Sequence, residues 1–301
     1  MEQFRPTGIS RTKKKNKYEK KKLWDGDGFD VLFGFLYLLK HHDTICFPFK
    51  NIDNRIQSFF IQLKCTTFQN AKRKEDYSLV IPGNSSSLIK NIKQCQRKHR
   101  FMAIPVYISF SDCKNIGHMN MLLFDTKTKQ IERFESYGKK GFTAKELLPF
   151  KWFDEYFNEW LKKSKLSYTY ISSQFCPAIG PQEIEEMELN NSRTTAKEHK
   201  TDPGGFCAVW SILFIDYRLH YPDLTSKQVM DIILNTLKKY PRSIRTWIRK
   251  YSIHLAKQRL SFFNDLEPEV RHSIQDTIWN NKLGDNIIKI FKNRLLDSPK
   301  K

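Results

Sequence analysis

The chain has no CxxC pair, and its six cysteines (Cys46, Cys65, Cys95, Cys113, Cys176 and Cys207) stand far apart. This spacing excludes a zinc ribbon or finger and the dense pattern of a small disulfide scaffold. A reducing compartment is expected, with most of these thiols serving as small core residues. Long hydrophobic runs are missing too. The longest are "VLFGFLYLL" (31–39) and "FCAVWSILFI" (206–215), well short of the roughly 20 residues that cross a bilayer. No apolar stretch ahead of a small-residue cleavage site opens the chain, so no secretory leader is expected. A Walker loop, an HExxH pair and a nucleophile-elbow serine are all absent. Zinc fingers, RNA-binding signatures and internal repeats are absent as well. Cys113 and His118 are close in sequence, but two potential ligands do not make a metal site. The expectation is a soluble, non-secreted monomer with no membrane span, no cofactor and no metal.

Negative charge is scarce: 32 acidic against 52 basic residues leave a formal net charge of +20. Such a balance favours polyanions. Part of it lies in "RTKKKNKYEKKK" (11–22), which fits a nuclear address, a nucleic-acid arm or a solvated tether. The rest is spread, as in "KNIKQCQRKHR" (90–100) and "KKYPRSIRTWIRK" (238–250). Spread charge supports salt-sensitive, non-specific nucleic-acid binding and nothing more selective.

What is present is a folded composition, 40% hydrophobic and 14% aromatic. Residues 1–23 read as a basic flexible arm. "DGFDVLFGFLYLLKHH" (27–42) has a capping aspartate and continuous apolar content, so a buried helix is predicted. Residues 43–100 are mixed, with a turn at "PGNSSS" (82–87), and their elements cannot be ordered. "FMAIPVYISF" (101–110) and "LSYTYISS" (166–173) read as strands; "HMNMLLFD" (118–125) and "QIERFESY" (130–137) form a hairpin about "TKTK". "KELLPFKWFDEYFNEWLKKS" (145–164) has helical spacing after its proline, at Trp152, Tyr156, Glu159 and Trp160. The polar stretch 186–202 reads as a loop or insertion. Beyond Cys207 the pattern is helical almost to the end, through "TSKQVMDIILNTLKKY", "SIRTWIRKYSIHLAKQRL" and "DNIIKIFKNRLL". Strands in the middle with helices on both sides predict an α+β fold with a central mixed or antiparallel sheet.

Cys207 follows Pro203-Gly204-Gly205, and a helix pattern begins at once. A thiol on the first turn of a helix meets the positive dipole end and unpaired backbone N–H groups. That setting favours the thiolate, which is the nucleophile, and the same N–H groups can hold an oxyanion. The bland alternative is a buried cysteine at a helix start. A nucleophilic thiol needs a base and a group to orient it. His118 opens one hairpin strand, and Glu135 lies on the other. The turn implies that facing residues sum to 253 or 255; either register puts the two side chains on one face within reach. Taken singly, His118 reads as an exposed strand-end histidine and Glu135 as a solvated strand charge.

These segments, "HMNMLLFDTKTKQIERFESYG", "CPAIGPQEIE" and "DPGGFCAVWSILFIDYRL", resemble the superfamily of SUMO-specific and adenovirus-type cysteine proteases, and within it members from large DNA viruses. The resemblance covers roughly residues 101–220. It implies His118 as general base, Glu135 as its orienting acid and Cys207 as nucleophile, in that chain order. It also implies a buried helix carrying the nucleophile at its N-terminus. Three departures stand out. Met119 replaces the tryptophan common after the histidine in SUMO proteases. The acid is a glutamate. Thr201 occupies the place where the family's oxyanion glutamine usually stands, which leaves Gln182 as first candidate and Gln174 as second.

The resulting expectation is a thiol endopeptidase in three parts: a 1–23 arm, a 24–260 protease domain with its catalytic core at about 101–220, and a 261–301 helical extension. The resemblance implies protein substrates, either viral structural precursors cut during virion maturation or a ubiquitin-like conjugate. It places the protein in a virion or infected-host cytoplasm if it is viral, otherwise in cytoplasm or nucleus. Two rivals stay open: an acyltransferase using the same His-Glu-Cys set, and a basic virion nucleic-acid-binding protein with a vestigial site.

Overall fold

The aromatic and branched segments collect into one seven-stranded mixed sheet, and the longer apolar segments become helices around it. The computed structural model describes residues 24, 26, 28–49, 59–67, 71–110, 117–139, 149–191, 205–239 and 243–264. The strands are β1 (Ile45–Cys46), β2 (Ile61–Cys65), β3 (Tyr77–Val80), β4 (Phe101–Ser109), β5 (Gly117–Asp125), β6 (Gln130–Phe134) and β7 (Thr169–Ile171). Their order is β3-β2-β4-β5-β6-β7, with β1 also paired to β4. β2 and β1 run parallel to β4, β7 runs parallel to β6, and the remaining pairs are antiparallel. β4 and β5 are buried along nearly their whole length, which matches their almost uninterrupted apolar sequence.

Among the described residues seven helices accompany the sheet: α1 (Gly28–His41), α2 (Ser85–Cys95), α3 (Phe150–Ser164), α4 (Pro181–Asn191), α5 (Phe206–His220), α6 (Ser226–Lys239) and α7 (Ile244–Asn264). α5 is apolar on all sides because it has neighbours on all sides: β5, α1, α4, α6 and α7. Its residues from Ala208 to Ile215 are all buried. Phe214 stacks on Phe134 of β6 at 4.5 Å between ring centres, and Trp210 stacks on Trp247 of α7 at 6.0 Å. Each large apolar side chain buried this way contributes about 1.5–3 kcal/mol. Among the described residues α5 is therefore held by packing on every side.

Several expectations change. Residues 43–100 hold three strands and α2. The "PGNSSS" segment starts that helix, because the Asn84 side chain accepts the Ser87 N–H at 2.7 Å and caps it. The polar stretch from residue 186 is not loop throughout, since α4 runs on to Asn191. α7 is continuous from Ile244 through Asn264. The basic arm and the last predicted helix lie outside the described residues. The expectation of reduced thiols is also corrected. Cys46 of β1 and Cys95 of α2 are joined by a disulfide with Cα atoms 5.9 Å apart, and Cys65 is disulfide-bonded as well. Among the described residues, the free thiols are Cys176 and Cys207. No helix among them is long and apolar enough to cross a membrane.

α1 approaches α5 through Gly34, where an added Cβ would lie 2.2 Å from the Ile212 Cδ1. A side chain there must push a fully buried isoleucine out of a packed core. Gly34→Val is expected to lower stability by about 1–3 kcal/mol despite its better helix propensity, as read by urea denaturation.

Candidate active site

Cys207 is the second residue of α5, and the backbone before it explains why. Gly205 sits at φ 62°, the left-handed region that glycine enters without a Cβ penalty. A Cβ on Gly26 would fall 2.4 Å from the Gly205 Cα, so the two glycine backbones touch. The Ala208 N–H donates to the Gly205 carbonyl at 3.0 Å, the first bond of the helix ladder. The N–H groups of Phe206 and Cys207 precede that ladder and have no carbonyl within the helix. The half-buried Cys207 sulfur stands near His118 and near the N–H groups of Met119 and Ala208, all of which favour its charged form.

The hairpin takes the second of the two registers, in which facing residues sum to 255: Met121 faces Phe134 and Leu122 faces Arg133. Continuing that register sets Glu135 opposite Asn120, two residues from His118 along the strand and on the same face. The His118 Nε2 lies 2.8 Å from Glu135 Oε1, which leaves Nδ1 as the ring nitrogen for the sulfur. The imidazole lies against Tyr137 at 4.9 Å and meets the edge of Phe150 at 6.0 Å. His118, Glu135 and Cys207, distant in sequence, thus converge in one cluster.

Glu135 is fully buried and would be costly as an anion without partners. It has four. Oε1 accepts from His118 and from the Tyr137 N–H at 2.9 Å; Oε2 accepts from Asn120 Nδ2 at 3.0 Å and Arg133 Nη1 at 3.4 Å. Arg133, itself buried, donates to Asn120 Oδ1 at 2.8 Å and grips Asp154 with two N–H groups at 3.0 and 3.2 Å. Its guanidinium packs over Phe150, 4.9 Å from the ring centre. A chain of charge-assisted bonds therefore runs from Asp154 on α3 through Arg133, Asn120 and Glu135 to His118 and Cys207.

The ionisation of these groups follows from that chain. Burial would lower the His118 pKa, but the Glu135 carboxylate and the Cys207 sulfur outweigh it and hold the imidazole well above its ordinary value. Burial would raise the Glu135 pKa, and His118 and Arg133 reverse the sign. Burial would also raise the Cys207 thiol; the bond to His118, its charge and the two backbone N–H groups bring it below the ordinary value. All three directions favour a thiolate–imidazolium pair. Cys176 is the contrast: burial pushes its thiol up to about 12. Tyr107 and Tyr137 stand near enough that the Cys207 charge helps to raise their hydroxyls, after the larger effect of burial.

The glutamine expectations fare differently. Gln182 is buried at the start of α4, where its Oε1 accepts from Ser136 Oγ at 2.6 Å. Its Nε2 donates to the Tyr137 hydroxyl at 3.1 Å and to Glu186 Oε1 at 3.3 Å. Both amide hydrogens are spent, so Gln182 does not offer the free donor that an oxyanion needs. It ties the turn after Glu135 to α4, with the help of backbone bonds from Gly180 to Tyr137 and from Gln182 to Ser136. Gln174 is exposed in a short 3-10 turn at Ser173–Phe175. Asn120, Arg133 and Asp154 went unnoticed in the sequence. A signal existed: Asn120 is a polar residue two places after His118 in an otherwise apolar strand, and Arg133 stands two places before Glu135.

A second cluster also escaped the sequence, which assigned no metal ligands. His42, Asp216 and His220 bring one potential ligand atom each within 4.8 Å of one another.

No family model matches the chain. It is similar to a protein described as "Putative ankyrin repeat protein L371" from Acanthamoeba polyphaga mimivirus, 25% identical over 287 residues. That match covers 88% of this chain and 36% of the relative, so the chain spans about a third of the relative's length. Among solved structures it is similar to the Chlamydia abortus effector protein ChlaDUB, at 12% identity and a TM-score of 0.34, covering 76% of this chain and 99% of that one.

The electrostatics set a measurable expectation. Cys207 should be alkylated by iodoacetamide at lower pH than an ordinary thiol, and Cys176 should stay unmodified. His118→Ala should shift the Cys207 alkylation profile to higher pH, because removing the imidazole leaves burial to dominate. Peptide-resolved mass spectrometry across pH reads both results.

Proposed function

We propose that the chain is a cysteine protease in which His118, Glu135 and Cys207 act together. The observation that carries this reading is the Cys207 sulfur at a helix N-terminus beside the His118 imidazole, whose Nε2 lies 2.8 Å from a buried carboxylate and whose charge lowers the thiol pKa. The thiolate attacks a peptide carbonyl carbon, and the π electrons move onto oxygen. Backbone N–H groups at the start of α5 receive that oxyanion. The His118 imidazolium gives its proton to the departing amine, the C–N bond breaks and a thioester remains. The now neutral His118 takes a proton from water, the hydroxide adds to the thioester, and the thiolate leaves. Glu135 holds the ring and stabilises its charged form throughout, without itself taking the proton.

Gln182 is a positioning residue in this scheme: it holds the Ser136–Tyr137 turn, whose N–H orders the Glu135 carboxylate. The substrate side is argued from the walls. Tyr107 and Tyr137 stand near enough to Cys207 to feel its charge, and Met119 approaches it through its backbone; walls of this kind favour small residues on the acyl side of the cut. A ubiquitin-like tail ending in glycine fits that restriction, and so does a structural-protein precursor cut after small residues.

The test is labelling by a ubiquitin-like probe ending in a glycine electrophile. Wild type is expected to react, Cys207→Ser to give no adduct, and His118→Ala to react about 10²–10⁴-fold more slowly. A second arm supplies a glycine-ended thioester or amide and follows hydrolysis, which distinguishes a protease from an acyltransferase that needs an amine or hydroxyl acceptor. Labelling that survives Cys207→Ser would overturn the assignment.

A further inference from the structure

α1 and α5 both end beside the same carboxylate. α1 stops at His41, and the His42 N–H closes its last turn on the Leu38 carbonyl at 2.9 Å. α5 ends at His220, one turn after Asp216. The carbonyl ends of two helices therefore converge on Asp216, and each end carries partial negative charge that favours a cation. The side chains there are of the type that binds metals. His42 Nε2 lies 2.7 Å from Asp216 Oδ1. His220 Nδ1 lies 3.7 Å from the same oxygen and 3.3 Å from the Asp216 backbone carbonyl.

The other carboxylate oxygen is held from behind. The Tyr37 and Tyr251 hydroxyls each donate to Asp216 Oδ2 at 3.3 Å. These bonds fix the carboxylate plane and turn Oδ1 toward the two imidazoles, as outer-shell partners of a metal site do. Asp216 is buried, His42 half-buried and His220 exposed, so the cluster opens to solvent on one side only.

We infer that His42, Asp216 and His220 bind a divalent first-row transition-metal ion, at the end of α5 opposite Cys207. Two imidazoles and one carboxylate suit zinc and its neighbours rather than calcium or magnesium, which take oxygen ligands. The i, i+4 spacing of Asp216 and His220 puts both on one helix face, and His42 supplies the third atom from another helix. The exposed His220 ring turns from the backbone carbonyl to the ion, and water takes the remaining position. Bound metal would pin the end of α1 to the end of the helix that carries the nucleophile.

The test uses the untagged full chain with Cys207→Ser, so that the thiolate is not a competing ligand. After equilibration with zinc and desalting, inductively coupled plasma mass spectrometry should find one zinc per chain. Zinc should raise the melting temperature, and chelator should reverse the rise. His220→Ala removes an exposed side chain and is expected to fold normally; losing a direct ligand should weaken zinc binding by more than about 100-fold, beyond what an outer partner is worth. His42→Ala should do the same. Absence of bound zinc in the parent, or undiminished binding in both histidine variants, overturns the inference.

Discussion

A buried carboxylate bonded to a buried imidazole is the interaction that the rest of the site depends on. Taking both charges out of water costs several kcal/mol per ion. The cost is offset because Glu135 is given four donors and His118 a second partner in the Cys207 sulfur. Remove any of these and the remaining charges are left in a dry interior. The hairpin register, the α3 packing and the α4 junction can each be understood as ways of bringing a donor to one carboxylate. Asn120 arrives by cross-strand pairing and Arg133 by position on β6. Arg133 is in turn steadied by Asp154 on α3 and by the Phe150 ring. The Tyr137 N–H arrives through a turn that Gln182 clamps.

α5 is the second constraint. One helix holds Cys207 at its N-terminus and Asp216 and His220 at its C-terminus, and the same dipole favours a thiolate at one end and a cation at the other. A helix doing this must not move, which explains why it is apolar all round and sheathed by four helices and β5. Gly34 and Gly26 mark two places beside α5 where the packing leaves no room for a Cβ: where α1 meets α5, and where residue 26 meets the turn before Cys207.

Local patterns carried much of the reading. Alternation and branching marked β4 and the hairpin, continuous apolar content marked α1 and α5, and the hairpin constant narrowed the Glu135 partner to two registers. Between β1 and α2 the elements are short, and their amphipathic pattern is weak. β2 becomes a strand because β4 lends it an edge, and β2 in turn lends one to β3, which no local signal records. Polar α4 was misread as part of a loop because its helix is stabilised by what it touches: Gln182 on Ser136 and Tyr137, and Glu188 on the first N–H groups of α7. The Cys46–Cys95 bridge depends on where α2 ends relative to β1, 49 residues apart in sequence.

By itself the sequence determined the fold class and the apolar helix after Gly205, because periodicity is a local property, and it offered His118, Glu135 and Cys207 as a candidate set through hairpin spacing, end-of-helix chemistry and a family resemblance. Only the tertiary structure decided which of the two registers the hairpin takes, that Gln182 spends its amide on a turn, and that Asn120 and Arg133 complete the carboxylate's shell. It alone also brought His42 across 174 residues to Asp216. The physical reason is the same in each case: a buried charge is satisfied by whichever donors the packing brings within about 3 Å, and that proximity is a property of the folded chain rather than of any stretch of it.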